Sequence, residues 1–304
     1  MAIASGSLVE AADYNAIQTK VDSILGTGSG DKGYGQAVSS AQKVADTDIV
    51  TDNDINDLFT DIQKAHTHQQ GSASTAIAQV TTNDIIEANN GTSFKGWTQY
   101  STAADLIETN RLTADAGGMT TSSAKATETK AAGWNGSNNQ IVTVVFASAD
   151  ARRHFFNSGG EIHIAASVAS GGNTKSQDWA TMCSSSGTIK IAEDGITKTG
   201  ASGTLYGSYN EGTIPTSSTK IFDRSGSGNY AENTWTVNAT NSSDTLTLTI
   251  ENIFNDADAG DQTGTGPAVD EDVDRALTIN IGELRATNAN VTVSSPTFTV
   301  TDSI

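Results

Sequence analysis

The sequence predicts a mainly β protein: an antiparallel β-sandwich, jelly-roll-like, in the C-terminal part, with a small helical segment at the N-terminus. Three observations carry this. From Gln140 onward apolar residues recur with period two, the repeat of a strand with one buried and one wet face. The alternating runs are short and separated by Gly, Asn, Asp and Ser, the turn formers of antiparallel sheets. Thr is 42 and Ser 32 of 304 residues, and β-branched Thr suits a half-exposed pleated surface.

Taken in chain order, Ile17, Val21 and Ile24 are spaced four and three, which is one helix face, and Gly26 stops it. A second helix is predicted from Asp54 to Ala65, with Ile55, Leu58, Phe59 and Ile62 apolar and Thr51 or Asn53 as cap. Ile77, Val80, Ile85 and Ile86 point to a short strand or helix. Leu106, Ile107 and Leu112 point to a helix beginning near Thr102 and ending by Gly117-Gly118. The Ser, Thr, Ala and Lys of Thr120 to Lys130 read as an exposed connection. Strands are predicted at Ile141 to Phe146, Glu161 to Val168, Thr188 to Ala192, Thr219 to Phe222, Thr234 to Ala239, Thr245 to Ile250, Ala276 to Ile281 and Val291 to Val300. Pro267 and Pro296 fall at or near strand ends. The chain thus divides into residues 1–70, helical and suited to attachment or oligomerisation; 71–138, a mixed connecting region; and 139–304, the β-sandwich.

Seventeen Lys and Arg against 35 Asp and Glu give a net charge of −18. That balance speaks against nucleic acid and against an acidic membrane surface, both of which need clustered cations. One cysteine, Cys183, allows no intrachain disulfide and no Cys-x-x-Cys zinc site. The first residues lack a basic stretch and an apolar core, so no secretory signal is expected, and no apolar run is long enough to span a membrane. The expectation is a chain kept in a reducing cell, or one that leaves by lysis, as a virus particle does.

Gly28, Gly30 and Gly33 match G-x-G-x-x-G, but a helix rather than a strand precedes them, so a turn is expected and not a dinucleotide site. His66-Thr67-His68 would place two imidazoles on one side of an extended segment. Three chains around an axis would then supply six nitrogens for a transition-metal ion, as in trimeric phage fibres and spikes. The opposing reading is a solvated helix end. Asp256, Asp258 and Asp261 form an oxygen-rich loop that could hold Ca2+, although the spacing is not that of an EF-hand, and a solvating acidic loop is the plainer reading. No cofactor is otherwise expected. Cys183 lies in no nucleophile motif, no G-x-S-x-G occurs, and His154 and His163 belong to a hydrophobic β region; no catalytic constellation is visible and no enzyme is expected. The loop Gly203 to Asn210, with Tyr206 and Tyr209, is the best candidate for an exposed contact surface.

The stretch Asp150-Ala151-Arg152-Arg153-His154-Phe155-Phe156-Asn157-Ser158-Gly159-Gly160-Glu161-Ile162 reads as a helical corner after a strand, a glycine turn and a return strand. Phe155 and Phe156 would peg the corner into the core, and Asn157, Gly159 and Gly160 would make the turn. This stretch resembles one that recurs in structural proteins of tailed bacteriophages, described as virion structural or tail-fibre-like, above all in phages of cyanobacteria. Residues 24–36 (ILGTGSGDKGYGQ), preceded by Ala11-Ala12-Asp13-Tyr14-Asn15, resemble the N-terminal part of the same proteins, and Asp270-Glu271-Asp272-Val273-Asp274 their C-terminal part. The His-x-His pair departs from the single His-Gln expected there. The resemblance implies assembly into a virion rather than a reaction. A non-enzymatic, tail-associated component (fibre, baseplate or neck) is therefore expected. Its partners would be other virion proteins, and it would be a homotrimer. The alternatives are a capsid decoration protein or a glycan-binding adhesin module.

Overall fold

The computed structural model describes residues 9–44, 47–84, 86–89, 92–257 and 271–304. It is mainly β, with two antiparallel sheets of five and six strands and five helices among the described residues. The chain forms two compact units. A helical unit comprises 1–120, 153–159 and 285–294, and a β unit comprises 121–152, 160–284 and 295–304. This division is discontinuous, whereas the sequence reading cuts the chain at 70 and 138.

In the helical unit, α1 (Ala11–Leu25), α2 (Asp52–Gln70) and α3 (Trp97–Thr109) pack pairwise. The predicted stripe of α1 is buried: Tyr14, Ile17, Val21 and Ile24 have 3 % exposure or less. Thr51 caps α2 through a capping box with Asp54, and Gly71 closes it in the left-handed region at φ 75°. The helix runs further than the periodicity predicts and takes in both histidines of His66-Thr67-His68. α3 starts five residues earlier than expected, at Trp97, because Trp97 and Tyr100 join the buried face. Ile77 and Val80 are buried but lie in irregular chain, not in a strand or helix, and Ile85 is outside the described residues.

The irregular segments of this unit are held by side-chain amides. Asn15 gives one hydrogen bond to the carbonyl of Lys43 and takes one from its N–H, both 2.7 Å. Asn56 does the same for Val80 at 2.9 Å, and Gln63 for Ser74 at 2.8 and 2.6 Å. Each amide imitates one rung of a β-ladder and satisfies backbone groups that no regular element pairs. The buried carboxylate of Asp61 takes the N–H groups of Ser39 and Ser40 and the Ser40 hydroxyl. The glycine motif is a turn. Gly28 and Gly33 adopt φ +60° and +110°, and a Cβ on either would lie 2.3 Å from a carbonyl oxygen.

The β unit holds β1 (Met119–Lys130), β2 (Gly136–Val145), β3 (Glu161–Val168), β4 (Ile189–Ala192), β5 (Gly195–Lys198), β6 (Thr204–Leu205), β7 (Thr219–Ser225), β8 (Thr234–Asn241), β9 (Thr247–Asp256), β10 (Leu277–Ala286) and β11 (Thr297–Asp302). The first residues of β1 and the last of β10 count with the helical unit. The strand orders are β1-β10-β3-β4-β5 and β11-β2-β9-β8-β7-β6, a sandwich-like architecture. Alternation is strict in β8 and β9: Leu248, Ile250, Asn252 and Phe254 of β9 face inward, paired with Val144, Val142, Gln140 and Asn138 of β2. The outer face carries the threonines, and Thr299, Thr143, Thr249 and Thr240 form one rank across four strands. The high Thr content is thus a surface property, since each methyl covers a neighbour while each hydroxyl stays wet.

The structure departs from the sequence expectation in four places. The presumed connection at 120–130 is β1, an edge strand whose Thr127 and Thr129 hydroxyls meet Asn280 and Thr278 of β10. It was invisible because only Ala126 is buried, so no apolar alternation marks it. A helix, α5 (Thr174–Ser186), lies where none was expected; its polar sequence buries Trp179 against Trp134 and Phe254 at ring separations of 5.2 and 5.9 Å. The strand after the Phe155-Phe156 corner does not return beside β2: β3 belongs to the other sheet and pairs with β10 and β4. The last predicted strand, from Val291, begins only at Thr297, just after Pro296, while Thr292 makes an isolated bridge to Thr287.

Candidate functional site

The two histidines proposed as metal ligands are not brought together. Both lie on α2, where positions two apart differ by about 200° around the axis. The extended geometry that would align them is therefore absent. His66 uses Nδ1 on the Ser72 carbonyl at 2.9 Å. His68 is fully buried: its Nε2 lies 3.1 Å from the Ser158 carbonyl, its Nδ1 3.4 Å from the Asn288 amide nitrogen, and its ring meets Tyr34 edge-on at 5.1 Å. An acceptor at Nε2 and a donor at Nδ1 fit the neutral imidazole with its proton on Nε2. Burial pushes this imidazole down to about 4, against weaker opposing effects of the Ser158 hydrogen bond and Asp115.

The acidic loop divides. Asp258 and Asp261 lie outside the described residues. Asp256 is the last residue of β9 and is 6 % exposed. Its Oδ2 faces the Lys175 ammonium at 2.9 Å, with both side chains fully out of solvent. Of the three aspartates considered for Ca2+, Asp256 is thus engaged by a cation of the chain itself. Among the described residues, no three His, Cys, Asp or Glu side chains converge on a common point.

The Phe155-Phe156 motif is a structural peg. Both rings are buried at the end of α4 (Ala149–Asn157) and meet edge-to-face at 5.0 Å. Asn157 is buried and accepts from Arg111 at 3.0 Å. Gly159 adopts φ 81°, its N–H bonds the Phe156 carbonyl, and Gly160 leads into β3. His154, expected in a β region, is on this helix and reaches the Thr27 carbonyl at 2.9 Å.

Other polar clusters escaped the sequence reading because their members are far apart in the chain. Arg152 is 4 % exposed, pairs with Glu211 at 2.5 Å and also donates to the Glu211 and Thr245 carbonyls and the Asn241 side chain. Glu161 lies between His163 at 2.6 Å and Lys190 at 2.9 Å, and despite partial burial these partners hold its carboxyl below the usual range. Cys183 is buried, and desolvation pushes its thiol up to about 12, which leaves it inert as a nucleophile. A shallow cleft of about 340 Å³ lies between α5 and the turn at 227–230, lined by Thr174, Gln177, Asp178 and Asn229 among others.

The groups these elements leave for contact are apolar and few. Of the six large apolar side chains that are exposed among the described residues, Val44, Ile49, Phe94 and Leu106 are in the helical unit, and Ile49 reaches 81 % exposure. Val145 and Tyr206 are in the β unit, Tyr206 with the Lys220 ammonium 5.2 Å from its ring centre. No helix among the described residues is long and apolar enough to cross a membrane. No family model matches the chain, and neither a curated protein nor a solved structure matches it.

Proposed function

We propose that this chain is a non-enzymatic structural component of a tailed-bacteriophage virion, tail-associated as part of a fibre, baseplate or neck, and that it works by protein–protein assembly as a homotrimer. Neither nucleic acid nor membrane is a partner in this reading. The N-terminal helices attach or oligomerise, and the two sheets form a jelly-roll-like sandwich that projects or packs.

The observation that carries it is the segment between α1 and α2. Val44 and Ile49 are 62 % and 81 % exposed within six residues of each other, whereas Ile17, Val21 and Ile24 of the same unit are buried. Single exposed apolar residues are ordinary, but two large ones this close in the chain suit a contact with another protein. The sheet edges add support: β1 and β11 end their sheets with mostly exposed side chains, and strand edges of this kind are closed by neighbouring copies in symmetric assemblies.

The test replaces both residues, Val44→Ser with Ile49→Ser. The variant is expected to fold as the parent does, to sediment as a smaller species and to drop out of purified particles. Incorporation at the parental level would overturn the reading. A particle reconstruction with the chain on the capsid lattice would favour the decoration-protein alternative instead. The glycan-binding alternative rests on the cleft beside α5, where Gln177, Asp178 and Asn229 are among the lining side chains. Saccharide-induced shifts confined to Gln177 and Asn229 would favour it.

A further inference from the structure

We propose that Lys175 and Asp256 condense into an intramolecular amide bond between Nζ and Cγ, a covalent tie from the first turn of α5 to the end of β9. The two groups are already in contact, Nζ to Oδ2 at 2.9 Å, and neither side chain has any solvent exposure. Their placement follows from local geometry. Trp179 is four residues after Lys175, on the same face of α5, and Phe254 is two residues before Asp256, on the same face of β9. Those two rings meet at 5.9 Å, so the amine and the carboxyl stand side by side above an aromatic pair.

The amine is also oriented. Nζ donates to the main-chain carbonyl of Glu271 at 2.6 Å, which fixes one N–H. A salt bridge without water gains little over its separated ions unless every remaining polar group is met. Moving one proton from Nζ to the carboxylate cancels both charges and leaves an amine facing a carboxylic acid. The nitrogen lone pair then adds to Cγ. One amine proton leaves with the acid hydroxyl as water, and the C–N bond remains. No oxidant, reductant or co-reactant is needed, and holding the reactants in contact replaces the encounter that makes amide formation slow between separate molecules.

Intact-mass measurement on the purified full chain tests this. The mass is expected to fall short of the sequence mass by one water molecule. Proteolysis is expected to give a branched peptide joining the segments around Lys175 and Asp256. Lys175→Met and Asp256→Ala should each restore the full mass and abolish the branched peptide. On a denaturing gel both variants should migrate more slowly than the parent, whose closed loop keeps the unfolded chain compact. If either variant fails to fold, the parental peptide map decides alone. Full mass in the folded parent, or a lost water with Lys175 and Asp256 recovered in separate linear peptides, would overturn the proposal.

Discussion

The helical unit and the β unit satisfy their buried backbone in opposite ways. In the β unit the ladders do it: β9 is paired on both sides along nearly its whole length, so its inward side chains have no backbone group to satisfy. Its charged groups enter the interior as complete pairs, Lys175 with Asp256 and Arg152 with Glu211. In the helical unit long irregular segments leave N–H and C=O groups without a ladder, and single side chains take over. Asn15, Asn56 and Gln63 each serve one backbone residue twice, and Asp61 takes two amides at once. The lesson is that a sheet spreads hydrogen bonding over many equivalent rungs, whereas an irregular segment concentrates it in a few residues whose loss is local and specific.

The sharpest way to break the contrast is at Arg152. Arg152→Ala leaves Glu211 buried without its cation and removes the Arg152 donor from the Thr245 carbonyl, while the Glu211 carbonyl keeps only the Asn241 amide. The expected loss is about 3–5 kcal/mol of stability, read by denaturant unfolding. A loss under about 1 kcal/mol would mean that the β unit does not depend on its buried pairs.

The next effect belongs to the helical unit and is a pH dependence. His68 is held near 4, below its ordinary value of 6.5, so folding favours the neutral ring. Its contribution is fully present above about pH 6.5 and is lost as pH falls through the window down to about 4. At about 1.4 kcal/mol per unit, the helical unit should lose about 3 kcal/mol across that window. His68→Gln should flatten this part of the stability–pH curve; a curve of unchanged slope would show that the ring does not titrate on unfolding.

The smallest effect tests the amide rungs. Asn56→Ala removes both bonds to Val80 and should cost about 2 kcal/mol. Amide exchange at Val80 should accelerate while exchange in β9 stays slow. Equal acceleration in both places would erase the distinction between distributed and concentrated hydrogen bonding.

What could be read in advance follows the same contrast. The stripe Ile17, Val21, Ile24 and the alternation of Leu246 to Ile250 are local patterns, and local patterns survive folding because each side chain's direction is set by its own backbone. α5 was hidden because Lys175, Ser176 and Ser186 are polar yet buried, each met by partners the chain brings from elsewhere or by the helix's own carbonyls. β1 was hidden because its stability comes from β10, more than a hundred residues away. The Phe155-Phe156 corner was visible as a string, but not the sheet to which the strand after it belongs.

Residue order along the chain was enough to settle composition, charge, the mainly β character and the turn at Gly28 to Gly33, and to narrow the cap of α2 to Thr51 or Asn53, because each depends on neighbours a few positions apart. Tertiary structure alone decided that His68 is buried beside the Ser158 carbonyl, that Asp256 faces Lys175, and that Arg152 finds Glu211. Those outcomes depend on which distant groups share a volume from which water is excluded, and no local repeat encodes that.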